Sequence, residues 1–448
     1  MKTIAITEVR TQFEDHLYRS PLKFGGVITD QVTLLNVWVR VKDTAGKEAE
    51  GFGSMPLGNV WSFPSKKHTY HETLEAMKRL AGAIAQITQD YPETGHPIDL
   101  FTALEPAYLQ AASAVQAALG LQEAIPKLCT LVVASPFDAA LHDAYGKLHG
   151  VSSYHTYSKD YMTHDLAHYL DARFQGEFLQ AYVSPEPKPS LPLYHLIGAV
   201  DPLTTADIPQ RKQDGLAETL AEWIHQDGLT HLKIKLNGNN LEWDVQRVTA
   251  VDRICEETQA ARGLKHWHYS LDFNEQCQTV DYLLAFLAQV QEQAPHALSR
   301  VQYIEQPTAR DLQAHPDNKM HKAAAIKPVV IDESLVDYES LMLARELGYT
   351  GVALKACKGQ SQALLMGAAA QKHRMFLCVQ DLTCPGASFL HSAGLAAHVP
   401  PVAAIEGNGR QYCPSANEGW RDRFPGIFTV RNGQIATACL NGPGLGIV

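Results

Sequence analysis

Charged and polar side chains stand at the ends of several short apolar runs in the second half of the chain. In chain order they are Lys233, Lys235, Asp272, Asn274, Glu305, Asp332, Glu333 and Lys355. A strand interior normally excludes charge, because burying an unpaired ion costs several kcal/mol. Successive strands that end in charge therefore predict one shared site, in which the acids and the lysines compensate each other.

Three of the acids, Asp272, Glu305 and Asp332, follow consecutive runs. Neighbouring strands lie ~4.8 Å apart, so these carboxylates can point at one place. They would repel each other unless a hard cation lay among them, and Mg²⁺ takes oxygen ligands and leaves positions open for substrate oxygens. No His or Cys accompanies them, which argues against zinc. The pattern predicts a Mg²⁺ site, with Mn²⁺ as the alternative metal.

Two lysine-bearing runs flank these acids. They are the second and sixth of eight, so Lys235 and Lys355 would face each other across a closed ring. Lys233 and Lys235 are two residues apart and point to the same side of a strand. A lysine base near neutral pH needs a pKa lowered from ~10.4 to roughly 7–8. We expect the neighbouring lysine and the cation to lower the pKa values of Lys233 and Lys235.

This combination suits removal of the proton next to a carboxylate. Loss of that proton places a second negative charge on the carboxylate oxygens, and a bound metal stabilises this charge. One lysine takes the proton. The other lysine can return it on the opposite face or act on a leaving group.

The apolar runs alternate with helical segments. The runs cover residues 193–199, 231–237, 267–274, 301–307, 328–334, 351–358, 375–383 and 403–408, and the helical segments include 216–225, 243–258, 280–293 and 338–347. This alternation predicts an α/β fold, a (β/α)₈-type TIM barrel. The charged residues then lie at the C-terminal strand ends, where the active sites of such barrels are found.

The chain outside the barrel is predicted to form an α+β capping domain. Residues 1–150 show a strand pattern at 32–41, helical periodicity at 72–86 and 135–148, and a Gly- and Pro-rich stretch at 51–58 that predicts a long loop. Residues 151–190 are predicted to be an insertion or an irregular connection. The barrel is expected at 191–410, and the C-terminal tail, 411–448, is expected to pack on the capping domain.

Composition excludes several classes of protein. The chain has 448 residues, a net charge of −10, 45% hydrophobic and 19% charged residues, and eight cysteines. The sequence has no run of Lys or Arg that would predict a nucleic-acid partner, and it has no apolar run long enough to predict a membrane span. The cysteines form no Cys-x-x-Cys pair, and we expect reduced, mostly buried thiols in a cytoplasmic protein.

The motifs Lys-Ile-Lys, Asp-Phe-Asn, Ile-Glu-Gln-Pro, Ile-Asp-Glu-Ser and Leu-Lys-Ala-Cys-Lys follow each other in this order. They resemble the enolase superfamily, and most closely its muconate lactonizing enzyme-like subgroup in the mandelate racemase/muconate lactonizing enzyme family. The resemblance covers roughly residues 190–410. Less specifically, residues 21–26 and 51–64 are similar to the two capping loops of the family.

This resemblance implies roles for individual residues. The metal ligands would be Asp272, Glu305 and Asp332, with Glu333 as the alternative to Asp332 in a shifted register. Lys235 and Lys355 would be the acid/base pair, and Lys233 would help to neutralise the enolate. Asn274 would support the ligands or bind substrate.

The chain also departs from familiar members. The eighth run, Ile405-Glu406-Gly407-Asn408, lacks the Asp-x-Asp with which dipeptide epimerases bind an ammonium group. Lys355 stands where mandelate-racemase-like members have an acidic residue. Asp381 and Glu406 end the seventh and eighth runs and either bind substrate or pair with a structural lysine. Trp61 either lines the pocket or packs the capping domain.

Three functions follow from these observations. The first is an isomerase, meaning a racemase, epimerase or cycloisomerase, that acts on a small carboxylate. The second is a lyase that dehydrates an acid sugar or a succinylbenzoate-type acid, with Asp381 or Glu406 as an extra acid. The third, from another class, is a catalytically silent barrel that only binds ligands. Barrels of this kind are often symmetric, so we expect a homo-oligomer.

Overall fold

The computed structural model of the protein describes residues 2–24 and 27–447. A closed barrel of eight parallel strands follows an N-terminal antiparallel sheet with its own helices. This architecture confirms the predicted fold class, a (β/α)₈-type TIM barrel with an α+β capping domain. Gly25 and Gly26, at the end of the first predicted capping loop, lie outside the described residues.

The N-terminal region combines three strands with four helices. The sheet has the order β1-β2-β3, and β1 and β2 form a long hairpin. Alternate β2 residues, Val37, Val39 and Val41, are buried, which confirms the strand predicted at 32–41. The elements are β1 (Ile4–Phe24), β2 (Val27–Asp43), β3 (Glu48–Pro56), α1 (Asn59–Ser62), α2 (Tyr70–Gln89), α3 (Pro97–Leu119) and α4 (Lys127–His149).

The loop predicted at 51–58 is wrong over most of its length, because residues up to Pro56 belong to β3. The glycines of this segment permit close packing of β3 on α4. A Cβ atom on Gly53 would lie 1.9 Å from the backbone oxygen of Pro136 in α4. Glycine here therefore indicates contact between strand and helix, and the loop is limited to the residues around α1.

Residues 151–190 contain only short helical turns before the barrel begins. These are α5 (Leu166–Tyr169) and 3₁₀ turns at Ser153–Thr156, Ala172–Phe174 and Leu179–Ala181. Hydrogen bonds join this segment to barrel helices: Arg173 donates to Tyr338, and Gln371 donates to the backbone oxygen of Tyr182. The predicted domain boundaries remain predictions.

Eight short strands form the barrel, and β11 pairs with β4 to close it. Most of their residues are buried, as in a sheet that is covered by helices. Each strand falls within or overlaps one of the eight predicted runs. They are β4 (Ser190–Ile197), β5 (His231–Lys235), β6 (His268–Asp272), β7 (Val301–Glu305), β8 (Val329–Ile331), β9 (Gly351–Leu354), β10 (Phe376–Val379) and β11 (Ile405–Glu406).

Helices and 3₁₀ turns connect the barrel strands. Several helices begin with side-chain caps; Thr219, for example, accepts from the backbone N–H of Glu222 at the start of the first of them. The helices are α6 (Leu220–Asp227), α7 (Leu241–Ala261), α8 (Val280–Gln293), α9 (Pro295–Arg300), α10 (His321–Ala324), α11 (Tyr338–Glu346), α12 (Gln360–Lys372) and α13 (Ala387–His398), with 3₁₀ turns at Thr205–Asp207 and Ala356–Lys358.

The C-terminal tail contacts both parts of the molecule. It contains α14 (Gly409–Tyr412), a 3₁₀ turn at Pro414–Asn417, α15 (Trp420–Arg423), α16 (Pro425–Phe428) and β12 (Gln434–Ala436). Strand β12 pairs antiparallel with β4, whereas the backbone N–H of Leu445 donates to Asp143 in α4 at 2.8 Å. The tail thus links the barrel to the N-terminal helices.

All eight cysteines are free thiols; seven are buried and Cys439 is exposed. This agrees with the expectation of mostly buried, unpaired cysteines. No helix in the described part of the chain is both long and apolar enough to cross a membrane.

Candidate active site

The charged residues predicted from the sequence meet at the C-terminal end of the barrel strands. Strand register aligns Lys235 with Asp272 and Asp272 with Glu305, so these three side chains start at one level. Asp332 directly follows β8, and Lys355 directly follows β9. All five residues are buried. The closed barrel therefore brings together side chains that are up to 120 positions apart in the sequence.

Lys233 lies at the centre of this charge cluster. Its Nζ is 3.0 Å from Asp272 Oδ2, 2.9 Å from Glu305 Oε2 and 2.8 Å from Glu406 Oε2. Glu406 also accepts a hydrogen bond from Asn408 at 3.2 Å. Glu406 was expected either to bind substrate or to pair with a lysine, and here it pairs with Lys233.

Lys235 forms the neighbouring contact on the same strand. Its Nζ donates to Asp272 and, at 2.9 Å, to Asn274 Oδ1. The backbone N–H of Asn274 in turn donates to Asp272 Oδ1 at 2.8 Å. Asn274 thus contacts both a predicted metal ligand and a predicted acid/base residue.

Asp332 faces two lysines on the other side of the cluster. Lys355 Nζ lies 2.8 Å from Oδ2, and Lys358 Nζ lies 3.2 Å from Oδ1. Neither carboxylate oxygen of Asp332 accepts a hydrogen bond of favourable geometry from the described residues. Asp332 is therefore held by charge but keeps lone pairs available for another ligand.

Glu333, the next residue, contacts the capping domain, and its Oε2 is buried without a hydrogen-bond partner in the described residues. Its Oε1 accepts a hydrogen bond from the indole N–H of Trp61 at 2.9 Å. Burial and the neighbouring Asp332 raise the pKa of Glu333 to about 8. The Trp61 ring also lies 4.5 Å from Lys355 Nζ, so this residue of the capping domain contacts the site.

Asp381 lies two residues after β10, and its carboxylate pairs with no lysine among the described residues. Its Oδ2 accepts from the backbone N–H groups of Cys384 at 3.1 Å and Asn408 at 3.2 Å. Its Oδ1 is buried and accepts no hydrogen bond from the part of the chain that the structure describes. Burial and the charge of Glu406 raise the pKa of Asp381 to about 7.

The lysine pKa values differ from the expectation. Burial alone would lower the pKa of Lys233, but Asp272, Glu305 and Glu406 outweigh it and raise the pKa well above its usual value. Asp332 likewise outweighs burial and raises the pKa of Lys355. For Lys233 the three acids thus act against the expected lowering of the pKa, which also depends on a bound cation.

The chemistry of the side chains in the cluster bears on whether they could bind a divalent cation. In the described residues, no group of three His, Cys, Asp or Glu side chains is arranged to hold a metal ion. However, Asp272, Glu305 and Asp332 end consecutive strands, and buried carboxyl groups outnumber buried lysines at this end of the barrel. Excess buried acid and the free lone pairs of Asp332 fit a hard, oxygen-binding cation.

Sequence reasoning missed two residues of the site. Gln380 donates from Nε2 to Glu305 and so helps to fix this side chain. Lys358 is completely buried against Asp332. A polar residue inside the apolar seventh run was a usable signal for Gln380, whereas the burial of Lys358 depends on the 3₁₀ turn after β9.

Backbone strain marks the same strand ends. Asn274, Gln306 and Thr383 have positive φ angles of 43°, 27° and 50°. Non-glycine residues rarely adopt such angles, and in proteins they cluster at functional sites. The strained residues follow β6, β7 and β10, on the rim that carries the charged cluster.

The structure thus combines a (β/α)₈ barrel with a buried cluster of acids and lysines at the C-terminal ends of its strands. The family model described as Enolase C-terminal domain-like matches residues 215–448, more than half of the chain. The chain belongs to this family, in the mandelate racemase/muconate lactonizing enzyme-like part of the enolase superfamily. No curated protein matches the chain in sequence.

Solved structures share the fold along nearly the whole chain. The muconate lactonizing enzyme from Pseudomonas fluorescens, complexed with muconolactone, is 17% identical, with a TM-score of 0.61 over 99% of this chain and 96% of that chain. The L-Ala-D/L-Glu epimerase from Bacillus subtilis is 16% identical, with a TM-score of 0.64 over 99% and 98%. A racemase from Streptomyces coelicolor A3(2) with bound magnesium is 16% identical, with a TM-score of 0.57 over 99% and 97%. At these identities, the likeness shows the fold.

Proposed function

We propose that this protein is a metal-dependent isomerase that removes the α-proton of a small carboxylate to give an enolate. The observation that carries the proposal is the position of Lys235 and Lys355 at the ends of β5 and β9, four strands apart in a ring of eight. Between them lie the buried carboxylates of Asp272, Glu305 and Asp332. Two opposed lysines suit removal of a proton from one face and its return on the other.

Asp272, Glu305 and Asp332 would hold the cation, Mg²⁺ with Mn²⁺ as the alternative. When bound, it supplies positive charge beside the substrate carboxylate and so stabilises the enolate. Solved relatives with magnesium support this choice of metal, as does the oxygen-only donor set. The hydrogen bond from Trp61 to Glu333 supports Asp332 over Glu333 as the third ligand.

The three lysines have two different proposed roles, charge compensation and proton transfer. Lys233 contacts three carboxylates, and these ion pairs favour its charged form, so we assign it to charge compensation rather than to proton transfer. Lys235 and Lys355 exchange the proton with the α-carbon from opposite faces. To act as a base, Lys355 must first lose its proton, which becomes easier when positive charge offsets that of Asp332.

A lyase is the second candidate, and Asp381 favours it. This buried acid has an Oδ1 without a hydrogen-bond donor in the described residues, and its pKa of about 7 leaves it partly protonated near neutral pH. A protonated carboxyl group can donate to a departing hydroxyl. The isomerase remains the first proposal because the two lysines need no leaving group.

Solvent exchange tests the proposal. The protein is incubated in deuterated water with a library of small carboxylic acids, with Mg²⁺ or with a chelator. We expect metal-dependent deuterium at the α-carbon, with no loss of water from the product. Loss of water together with the label would favour the lyase, and no exchange of any acid would overturn both enzymatic candidates in favour of a binding protein.

A further inference from the structure

The first strand forms an open edge of the N-terminal sheet. β1 is the outermost strand of this sheet, and its six residues from Arg10 to Asp15 are all exposed. Phe13, a large apolar side chain, is among them. We propose that this edge pairs antiparallel with the same edge of a second copy of the chain, so that two N-terminal sheets become one sheet across a two-fold axis.

Hydrogen bonds near both ends of this segment show which backbone groups point outward from the sheet. The backbone N–H of Val9 donates to Gln89 of α2 at 2.7 Å, so Val9 points away from β2. The backbone oxygen of Thr33 in β2 accepts from Leu57, directly after β3, at 2.9 Å. Thr33 thus bonds toward β3, and Asp15, its partner in β1, must point away from β2. The residues with outward backbone groups are therefore Thr11, Phe13 and Asp15.

These outward groups are free to pair with another strand. Among the described residues, no hydrogen bond reaches the outward backbone N–H and C=O groups of Thr11, Phe13 and Asp15. Proteins often protect such an edge with lysine or proline, and residues 10–15 contain neither. An open edge of this kind is a template for an added strand, which gains main-chain hydrogen bonds.

The charges along the edge fit a second copy of the same edge. When Gln12 faces Gln12 of the second copy on the axis, Arg10 of each copy lies opposite Glu14 of the other. In the same register, Glu8 lies opposite His16. Opposite charges directly across two strands stabilise their pairing. The edge is thus complementary to itself, which favours a second copy over an unrelated strand.

The neighbouring registers lack this complementarity. An axis at Thr11 would place Glu8 opposite Glu14, and like charges in this position destabilise the pair. An axis at Phe13 would leave Arg10 without an acid across from it. An axis between two residues would bring outward groups against inward ones, so it offers no ladder. Charge therefore selects the register centred on Gln12.

Arg10 and Glu14 are placed to meet across the axis. Lys78 of α2 lies 5.4 Å from the ring centroid of Phe13, so the odd-numbered residues face this helix and the even-numbered ones face solvent. The side chains of Arg10 and Glu14 are 51% and 50% exposed, although they contact Glu50 and His16. Both charges thus remain accessible to a second copy.

A charge exchange tests the contact, with sedimentation velocity over a range of concentrations as the measurement. We expect the wild type to form this dimer or a larger assembly that contains it. Arg10→Glu and Glu14→Arg should each raise the dissociation constant by at least ~10-fold, because each sets like charges opposite each other on both sides of the axis. The double variant Arg10→Glu/Glu14→Arg should restore association. Glu93→Arg, at an exposed loop glutamate, is the control and should behave as the wild type.

A disulfide across the axis tests the register. In Gln12→Cys, the two Cα atoms would lie ~4.5 Å apart, within the range that a disulfide spans. Cys439→Ser provides the background, since Cys439 is exposed and the other seven cysteines are buried. Oxidised glutathione should link Gln12→Cys into a covalent dimer, whereas Arg40→Cys, at an exposed position of β2, should stay unlinked.

A wild type that is monomeric at every concentration would overturn the inference, as would an oligomer that neither single charge change weakens. Single variants that dissociate while the double variant fails to recover, with all thermal unfolding temperatures unchanged, would also overturn it. Absence of the covalent dimer in Gln12→Cys would reject the register. Recovery in the double variant together with the specific disulfide would establish the contact.

Discussion

Lys233 contacts three buried carboxylates, and this environment explains why its pKa is raised rather than lowered. Position in the sequence cannot reveal this, because Lys233 and Lys235 are equivalent in spacing and differ only in the acids around them. The structure separates them: Lys233 lies deepest, whereas Lys235 also lines a cavity. The deeper lysine is suited to charge compensation and the other to proton transfer.

The proposed ligands predict a specific pattern of metal binding. Asp272→Asn, Glu305→Gln and Asp332→Asn should each weaken Mg²⁺ binding by at least ~10-fold, because a ligand contributes no less than an outer-shell partner. Glu333→Gln is the matched control, since its side chain bonds to Trp61. Calorimetric titration with Mg²⁺ measures this. Loss of binding in Glu333→Gln together with retention in Asp332→Asn would assign the third ligand to Glu333.

The raised pKa of Asp381 predicts that this residue makes stability depend on pH. Its pKa rises from 3.8 to about 7 on folding, so the folded protein holds this proton more tightly than the unfolded chain does. The contribution of Asp381 to stability should therefore fall as pH rises from about 4 to about 7 and change little above that range. Asp381→Asn should remove this loss and gain on the order of 1–3 kcal/mol over the wild type between pH 5 and 8.

Thermal unfolding of the wild type and of Asp381→Asn at pH 5 and at pH 8 checks this expectation. Asp317→Asn, at an exposed aspartate, is the control and should follow the wild type. Parallel melting curves for the wild type and Asp381→Asn at the two pH values would show that Asp381 is ionised in the folded protein.

At the residue scale, the sequence identified residues whose charge is unusual for a strand end. Asp272, Glu305, Asp332 and the lysines could be selected because burial of charge needs a shared explanation. Gln380 is neutral, so its polarity inside an apolar run is a weaker signal than charge, and its contact with Glu305 depends on strand register. The hydrogen bond between Trp61 and Glu333 joins side chains far apart in the sequence and could not be predicted.

At the scale of elements, β3 and α4 pack against each other through glycine. Gly53→Ala would place a Cβ atom 1.9 Å from the backbone oxygen of Pro136, and backbone cannot move aside cheaply. We expect a loss of at least ~1–3 kcal/mol in the free energy of unfolding. Gly82→Ala is the matched control, since a Cβ there meets nothing within 4 Å in helix α2.

Chemical denaturation measures both variants. Gly82→Ala should be neutral or stabilising by up to ~1 kcal/mol, because alanine has the higher helix propensity. If Gly53→Ala were as stable as the wild type, close contact between β3 and α4 would not explain the glycine.

The barrel strands could be predicted because each is a short apolar run between helices with a different period. The capping domain was harder. Nearly every residue of α4 is buried, so the sequence lacks the polar face that would mark where this helix begins. The sequence gives no clear signal for α3, and the glycines of β3 predict a loop although they permit the strand to pack on α4.

At the scale of the whole molecule, the capping domain supplies groups to both sides of the barrel site. Lys23 hydrogen-bonds to Asn237 on the Lys235 side, whereas Trp61 lies over Lys355 and bonds to Glu333. The barrel thus positions the charged groups, and the capping domain contributes further contacts around them.

The central claim is that Lys235 and Lys355 act on opposite faces of one α-carbon. The most direct test is exchange of the α-proton with deuterium for each enantiomer of an accepted chiral acid. Lys235→Ala should exchange one enantiomer and Lys355→Ala the other, and neither variant should interconvert them. The exchange that each variant retains also shows that its fold and metal site are intact. If both variants exchanged both enantiomers at the wild-type rate, the two-lysine mechanism would be contradicted.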